Sequence, residues 1–376
     1  MIRILSAVIL LACISCQTPT ETKVDSDQTD KLPLKYAEGF SVHYFEGYKI
    51  VTVSRPFMGA KSGFEYVLVN DESLLPAKFQ DKPFIKVPLE SIVCTSTTHI
   101  PLLDYINETD KLVGFPTTDY ISSVKMRTRI DSGLVTDLGV DKEMNLEQLI
   151  ELDPSMVMAY TIGGDFGQFN KIEQMGIPVV LNAEYLEAHP LGRAEWIKFM
   201  AAFFNKEELA DSVFNEIEAK YLELQTLAKT SNDKPSILSG IVYGDTWYLP
   251  GGNNYASKLM RDAGGNYLWA QDSSSGFLEL SFESVYNKAA DADYWIGVAN
   301  YQDLISLKKA DSRYAEFQAY TNKNVYTSNW RKGAKGGSEF LELGYLRPDL
   351  ILADLIKILH PELLPEYNLY FHHRLE

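Results

Sequence analysis

Glu207-Glu208-Leu209-Ala210-Asp211-Ser212-Val213-Phe214-Asn215-Glu216-Ile217-Glu218-Ala219-Lys220-Tyr221-Leu222-Glu223-Leu224 is the stretch on which the fold turns. Leu209, Val213, Phe214, Ile217, Tyr221 and Leu224 fall at the three- and four-residue spacings of one helix face. Neither proline nor internal glycine occurs between Gly192 and Lys229, and the apolar stripe starts upstream at Trp196, Phe199, Met200, Phe203 and Phe204. Asn205-Lys206-Glu207-Glu208 interrupts the stripe and supplies a cap. The spacing therefore predicts a separate helix of roughly 23 residues within 206–230, about 35 Å long at 1.5 Å per residue. A helix of that length can bridge two halves of a chain.

Both flanks supply something to bridge. Ile92-Val93-Cys94 reads as a short apolar strand, 95–99 as a polar turn, 100–106 as a helix and Leu112-Val113-Gly114-Phe115 as a strand. That order is a βαβ unit. Helix and strand alternate again over 146–150, 156–160, 169–175 and 177–181. After Asn232-Asp233-Lys234-Pro235 the rhythm restarts, with segments at 237–242, 255–263, 282–287, 294–298, 325–327 and 348–360. An α/β fold with parallel sheets follows, organised as a first lobe over 35–205, the bridging helix over 206–230 and a second lobe over 231–376. Strand-like runs at 40–45, 48–53 and 64–69 precede the first βαβ unit.

At 376 residues, 45% of them hydrophobic, the chain can build two lobes, each with a core. Its 51 acidic and 35 basic residues leave a formal charge of -16, which excludes a nucleic-acid partner and non-specific attraction to anionic lipid. Met1-Ile2-Arg3 places positive charge ahead of the apolar run 4–12, which is too short for a membrane-spanning helix of about 20 residues. The run leads into Leu10-Leu11-Ala12-Cys13-Ile14-Ser15-Cys16, which resembles a bacterial lipobox. A signal over 1–16 with Cys16 lipidated is expected. Cys13 is the alternative, with Leu at -3 and Ala at -1 but a signal of only twelve residues, and both thiols would go if the signal were removed entirely. Residues 17–31 are polar, so a flexible tether over 17–34 is expected. Cys94 is read as a small buried side chain.

Four segments carry a family resemblance: Ile92-Val93-Cys94-Thr95-Ser96-Thr97-Thr98, Asp110-Lys111-Leu112-Val113-Gly114, Asn145-Leu146-Glu147-Gln148-Leu149-Ile150-Glu151-Leu152-Asp153-Pro154 and Met175-Gly176-Ile177-Pro178-Val179-Val180. In order and spacing they resemble the helical-backbone (class III) periplasmic binding proteins for ferric siderophores, haem and cobalamin. Pro190-Leu191-Gly192-Arg193-Ala194-Glu195-Trp196-Ile197-Lys198 and Arg347-Pro348-Asp349-Leu350-Ile351-Leu352-Ala353-Asp354 are similar to a Bacteroidetes-type lipoprotein branch of that group. The resemblance spans roughly 85–370. It implies two Rossmann-like lobes joined by one rigid helix with a ligand groove between them. It also implies an ABC importer permease and ATPase as partners, acting on an exported, periplasm-facing, lipid-anchored monomer. In this family an acidic residue on each lobe docks onto the importer, and those roles carry over to Glu283 and, in a less certain register, Asp165. The alternative for both is an acidic residue favoured at a helix start.

Ligands of open parallel sheets lie beyond the carboxyl ends of the strands. That rule nominates the loops 95–99, 115–120 and 161–169 in the first lobe, and 243–248, 251–255, 300–301 and 328–331 in the second. The ligand-binding candidates within them are Thr97, His99, Phe115, Tyr120, Phe166, Trp247, Tyr248, Tyr255, Tyr301, Trp330 and Arg331. Trp247, Tyr248, Tyr255 and Trp330 sit in polar, glycine-bearing segments, where flat rings can stack on a macrocycle or catecholate; a loop Trp can equally close a local core. Trp247 and Trp330 are expected to face one shared cavity. Arg331, next to Lys332 and Lys335, favours an anionic ligand, although an ordinary surface Arg needs no such partner. His99 reads as a ligand contact or as a satisfied helix-start histidine.

The six histidines, at 43, 99, 189, 360, 372 and 373, do not form a metal-ligand pattern. No intrinsic cofactor or metal is expected, and the cargo is a small-molecule metal chelate. Nucleophile-elbow, His-Glu-x-x-His and phosphate-loop motifs are missing, so no enzyme is expected. The function expected is capture of a ferric siderophore for an ABC importer. Cobalamin or haem is the alternative cargo, and a surface carbohydrate-active hydrolase with paired carboxylates is the alternative from another class.

Overall fold

The computed structural model describes residues 28–80 and 83–376. The expected signal peptide, Cys13 and Cys16 lie outside the described residues, as does most of the expected tether. Strand formation begins within that tether. β1 (Gln28–Lys31) pairs antiparallel with β2 (Phe40–Phe45), followed by β3 (Tyr48–Val53), β4 (Phe64–Val69) and β5 (Ile85–Lys86), in the order β1-β2-β3-β4-β5. Leu32 is buried, so 28–34 belongs to the folded body.

Two buried carboxylates hold the segment after β1 in place. Glu195 accepts from the backbone N–H of Lys35 (2.9 Å), Tyr36 (2.8 Å) and Ala37 (2.8 Å), and Glu187 accepts from Glu38 (3.0 Å) and Gly39 (2.8 Å). Five consecutive amides thereby find partners without a ladder, as buried backbone must. Lys49 on β3, almost wholly buried, donates to the Ala202 carbonyl (2.9 Å), Asn205 (2.6 Å) and Glu207 (2.5 Å), which ties this sheet to the start of the connector.

The first lobe is a five-stranded parallel sheet of β6 (Ile92–Cys94), β7 (Leu112–Phe115), β8 (Thr136–Asp137), β9 (Val157–Ala159) and β10 (Val179–Leu181), ordered β10-β9-β6-β7-β8. β6, β9 and β10 are buried on both faces, which is why they read as continuous apolar runs and not as alternations. Cys94 is buried and free.

The connector helix runs over Glu207–Ala228, about 33 Å at 1.5 Å per residue. Its buried residues Ala210, Phe214, Ile217, Tyr221, Leu224 and Ala228 form one stripe, and Glu207 and Glu208 sit at its positive end. It packs against the helices Ile197–Ala202 and Pro348–Leu359, one before the connector in the chain and one near the chain's end.

Beyond it lie β11 (Ser236–Ser239), β12 (Ile241–Tyr243), β13 (Thr246–Pro250), β14 (Asn266–Tyr267), β15 (Phe277–Leu280), β16 (Tyr294–Ile296), β17 (Val325–Thr327) and β18 (His373–Arg374). Four of these run parallel in the order β14-β11-β16-β17, and β18 closes the edge antiparallel. The second lobe is more than a repeat of the first, because β12-β13-β15 forms a separate antiparallel sheet. Residues 243–248, expected as a groove loop, are instead a hairpin turning at Gly244-Asp245. Gly244 has φ +63°, the left-handed conformation such two-residue turns require.

Candidate ligand groove

A cavity of about 530 Å³ lies at the seam of the two lobes, within the usual 300–1,000 Å³ range of small-molecule sites. Its first-lobe wall is built at the carboxyl ends of parallel strands: Thr95, Ser96 and Thr97 after β6, Phe115, Pro116, Thr117 and Tyr120 at and after β7, Val140 and Asp141 after β8, and Tyr160 after β9. The second lobe contributes Gly336, Gly337, Ser338 and Leu341. Tyr120 (63% exposed), Val140 (64%) and Leu341 (56%) present apolar surface at this seam. Apolar side chains left open and gathered on one concavity mark a binding surface.

The loops are rigidly set. Asp137 accepts from the N–H and hydroxyl of Thr118 (2.8 and 2.6 Å) and from the N–H of Gly139 (2.8 Å). Burial pushes its carboxyl up, but these bonds and Arg127 outweigh burial and hold it below its ordinary value. Thr117, at φ +51°, donates its N–H to the Gly139 carbonyl at 2.7 Å. Behind the first loop, Ser96 and Thr98 exchange a 2.8 Å hydroxyl contact, and Thr98 donates to the buried Glu184.

Across the seam, Glu342 accepts from the backbone N–H of Ser122 (2.5 Å) and Ser123 (2.9 Å). Arg347 donates to the Tyr105 hydroxyl at 3.0 Å. The 333–337 turn lies directly on the first lobe, where a Cβ added to Gly337 would meet the Tyr120 carbonyl oxygen at 2.0 Å.

The family model described as periplasmic binding protein matches residues 92–329. The chain belongs to the periplasmic binding protein family. An uncharacterized lipoprotein of Methanocaldococcus jannaschii is 28% identical over 352 residues, covering 88% of this chain and 82% of its own length. A second from the same organism is 27% identical over 369 residues, covering 92% and 89%. Among solved structures, a periplasmic heme-binding protein from Roseiflexus has a TM-score of 0.55 at 17% identity, covering 73% of this chain and 99% of that one. The periplasmic vitamin B12 binding protein of Vibrio cholerae has 0.51 at 15%, covering 72% and 97%. These likenesses show the class III fold with its two lobes, as the sequence resemblance implied.

In this periplasmic binding protein the expected site residues scatter. Thr97, Phe115 and Tyr120 line the cavity; eight others do not. Trp247, expected to face the groove, is fully buried on β13, its indole donates to the Ser239 carbonyl at 3.1 Å, and it packs on Phe282, Trp295, Tyr314 and Phe317. The alternation of the hairpin turns it into the second-lobe core, while Tyr248 points to the opposite, half-buried face. Tyr255 is buried, its hydroxyl donates to the Gly344 carbonyl at 3.2 Å, and the Arg193 guanidinium covers its ring at 3.9 Å. Tyr301 packs on the second-lobe side of the core.

Trp330 is half-exposed but stacks on His373 at 3.7 Å outside the cavity. Arg331 pairs with Glu339 at 2.8 Å and lies over Tyr370 at 4.4 Å, so its charge is engaged within its own lobe. Phe166 is drawn to Phe57 in the β3–β4 loop and Phe64 on β4, at 5.4 and 5.8 Å. His99 is fully buried, and burial pushes its imidazole down to about 3. Asp165 and Glu283 are exposed at the starts of the helices Gly167–Gln174 and Phe282–Ala289. Asp165 accepts from Gly167 N–H at 3.1 Å and Glu283 meets Arg313 at 3.4 Å.

Val140, Asp141, Tyr160 and 336–341 fell outside the nominated loops. The strand-end rule would have found the 140–141 loop and Tyr160 had the two-residue strand β8 been recognised and β9 ended at Ala159. Among the described residues no group of three or more His, Cys, Asp and Glu side chains converges as metal ligands, and no helix is long and apolar enough to cross a membrane.

Proposed function

We propose that this chain is the lipid-anchored substrate-binding component of an ABC importer and captures a metal chelate of the ferric-siderophore kind outside the cytoplasmic membrane. One observation carries this reading: the cavity at the lobe seam, closed by loops from both lobes and bearing exposed Tyr120, Val140 and Leu341. One aromatic and two aliphatic side chains exposed at the cavity suit a bulky, partly apolar ligand, and the family is one of solute-binding proteins. Lipid anchoring is supported by the lipobox-like Leu11-Ala12-Cys13-Ile14-Ser15-Cys16 and by relatives named as lipoproteins. Asp165 and Glu283, exposed on different lobes, suit docking onto cationic side chains of a permease. Cobalamin or haem is the second cargo reading, favoured by the vitamin B12- and heme-binding neighbours.

A hydrolase reading has less support. Glycosidases set two carboxyl groups across a groove, and Asp141 is the only carboxylate among the described residues lining this one.

Mass spectrometry of the protein purified from its own source, followed by absorption and fluorescence titration with ferric chelates, haem and cobalamin, tests the proposal. A ferric chelate bound with micromolar or tighter affinity supports it, a Soret shift or corrinoid spectrum transfers it to the second cargo, and binding of none of the three rejects it.

A further inference from the structure

Resting on the chelate reading above, the charges around the groove define the class of chelate. Among the described residues no Lys, Arg or His lines the cavity, and Asp141 is the one charged side chain that does. Asp141 and Thr95 belong to the lining, and Asp141 Oδ1 and Thr95 Oγ1 have no hydrogen-bond partner within the protein, so the chain itself leaves their hydrogen-bonding capacity unfilled. Nearby cations are already engaged: Arg331 with Glu339 at 2.8 Å, and Arg127 with Asp131 at 3.0 Å and Asp119 at 3.8 Å. Lys142 lines an adjoining recess together with Asp165 and Asp141, so that recess carries no net positive charge. Lys332 and Lys335 are exposed on the 332–338 turn, outside the lining, where solvent and salt screen them.

We propose that the groove takes a neutral or cationic chelate, with Asp141 and the Thr95 hydroxyl meeting N–H or O–H donors on the ligand, and discriminates against anionic chelates. This reverses the expectation drawn from Arg331, Lys332 and Lys335 in the sequence. An anion transferred from water into this wall loses hydration and gains no buried counter-charge, while it approaches a carboxylate. A cation or a neutral amide donor instead meets a wall whose charged side chain is a carboxylate. The whole-chain charge of -16 adds a repulsive long-range field for anions.

Calorimetric titration of the purified mature protein tests this with a monocationic linear ferric trihydroxamate, a neutral cyclic ferric trihydroxamate and a trianionic ferric tricatecholate. The hydroxamates should bind about tenfold or more tightly than the tricatecholate at equal ionic strength. Asp141→Asn, checked for an unchanged melting curve, should weaken the monocationic chelate by about tenfold and leave the neutral one within about threefold. Lys332→Ala combined with Lys335→Ala should preserve the order. A tricatecholate that binds as tightly as the hydroxamates, or an Asp141→Asn variant with unaltered charge preference, would overturn the proposal while leaving the chelate reading intact. Binding of none of the three, nor of haem or cobalamin, would overturn both.

Discussion

Glu342 shows how one side chain joins the lobes and makes their stability depend on pH. Burial pushes its carboxyl up to about 7, against the Ser122 and Ser123 bonds that favour the ionised form. The folded chain therefore keeps a proton that the unfolded chain releases near 4.5. This contribution is fullest below about 4.5, shrinks as pH rises towards about 7 and is constant above. In denaturant unfolding between about pH 4.5 and pH 8, Glu342→Gln should flatten the decline by roughly 2–3 kcal/mol relative to the parent; identical profiles would assign the titration elsewhere.

Asp354 has the opposite character. Burial raises its carboxyl, but the side-chain bond from His372 and the N–H groups of Tyr370 and His372 outweigh it and hold it low. It accepts from Tyr370, Phe371 and His372 N–H at 2.7, 2.7 and 2.8 Å, which fixes the C-terminal tail. Asp354→Ala strands those amides and should cost about 3 kcal/mol or more in denaturant unfolding.

At the scale of elements, the N-terminal sheet is part of the machine that places the groove. Lys49 joins β3 to the first turn of the connector, Tyr66 on β4 accepts from Leu181 N–H at 3.0 Å at the edge of β10, and Glu187 and Glu195 fix 35–39. Glu195→Ala should remove hydrogen-exchange protection from the amides of 35–37 and destabilise by about 2–4 kcal/mol. Protection equal to the parent's would show that this segment is held by other contacts. In the connector, Phe214 is fully buried between Tyr36 and the helices it packs on. Phe214→Ala should cost about 3–5 kcal/mol through the cavity it leaves, read from the denaturant midpoint.

For the whole molecule, the connector and the Gly333–Gly337 turn fix how closely the lobes approach. A side chain at 337 has no room beside the Tyr120 carbonyl, so Gly337→Val should hold the seam open and weaken chelate binding by about tenfold or more. The main core runs unbroken through both lobes and the connector, and an opened seam also strains the Glu342 bonds to Ser122 and Ser123, so the melting temperature of the free protein should fall as well. Chelate at 100 times its Kd should stabilise the parent by about 2.7 kcal/mol and the variant by less, as differential scanning fluorimetry with and without ligand would show.

The connector over Glu207–Ala228, the parallel strands β6, β7, β9 and β10 and the α/β class were legible in the sequence. Local periodicity and two-sided burial write themselves into consecutive residues. Thr97, Phe115 and Tyr120 were reachable for a related reason, since the strand-end rule needs only the strands. Trp247, Tyr255, Phe166 and Arg331 were not, because which way a ring or guanidinium faces depends on partners far away in the chain. Trp247 is claimed by Trp295 and Phe317, Tyr255 by Arg193 and Tyr345, and Phe166 by Phe57. The sequence by itself determined the repeating βαβ order and the helix between its two halves, since these are short-range patterns of burial. Only the tertiary structure decided which loops meet at the seam and that Asp141 is the charge facing the ligand space, because a cavity is made by residues whose separation in sequence says nothing of their distance.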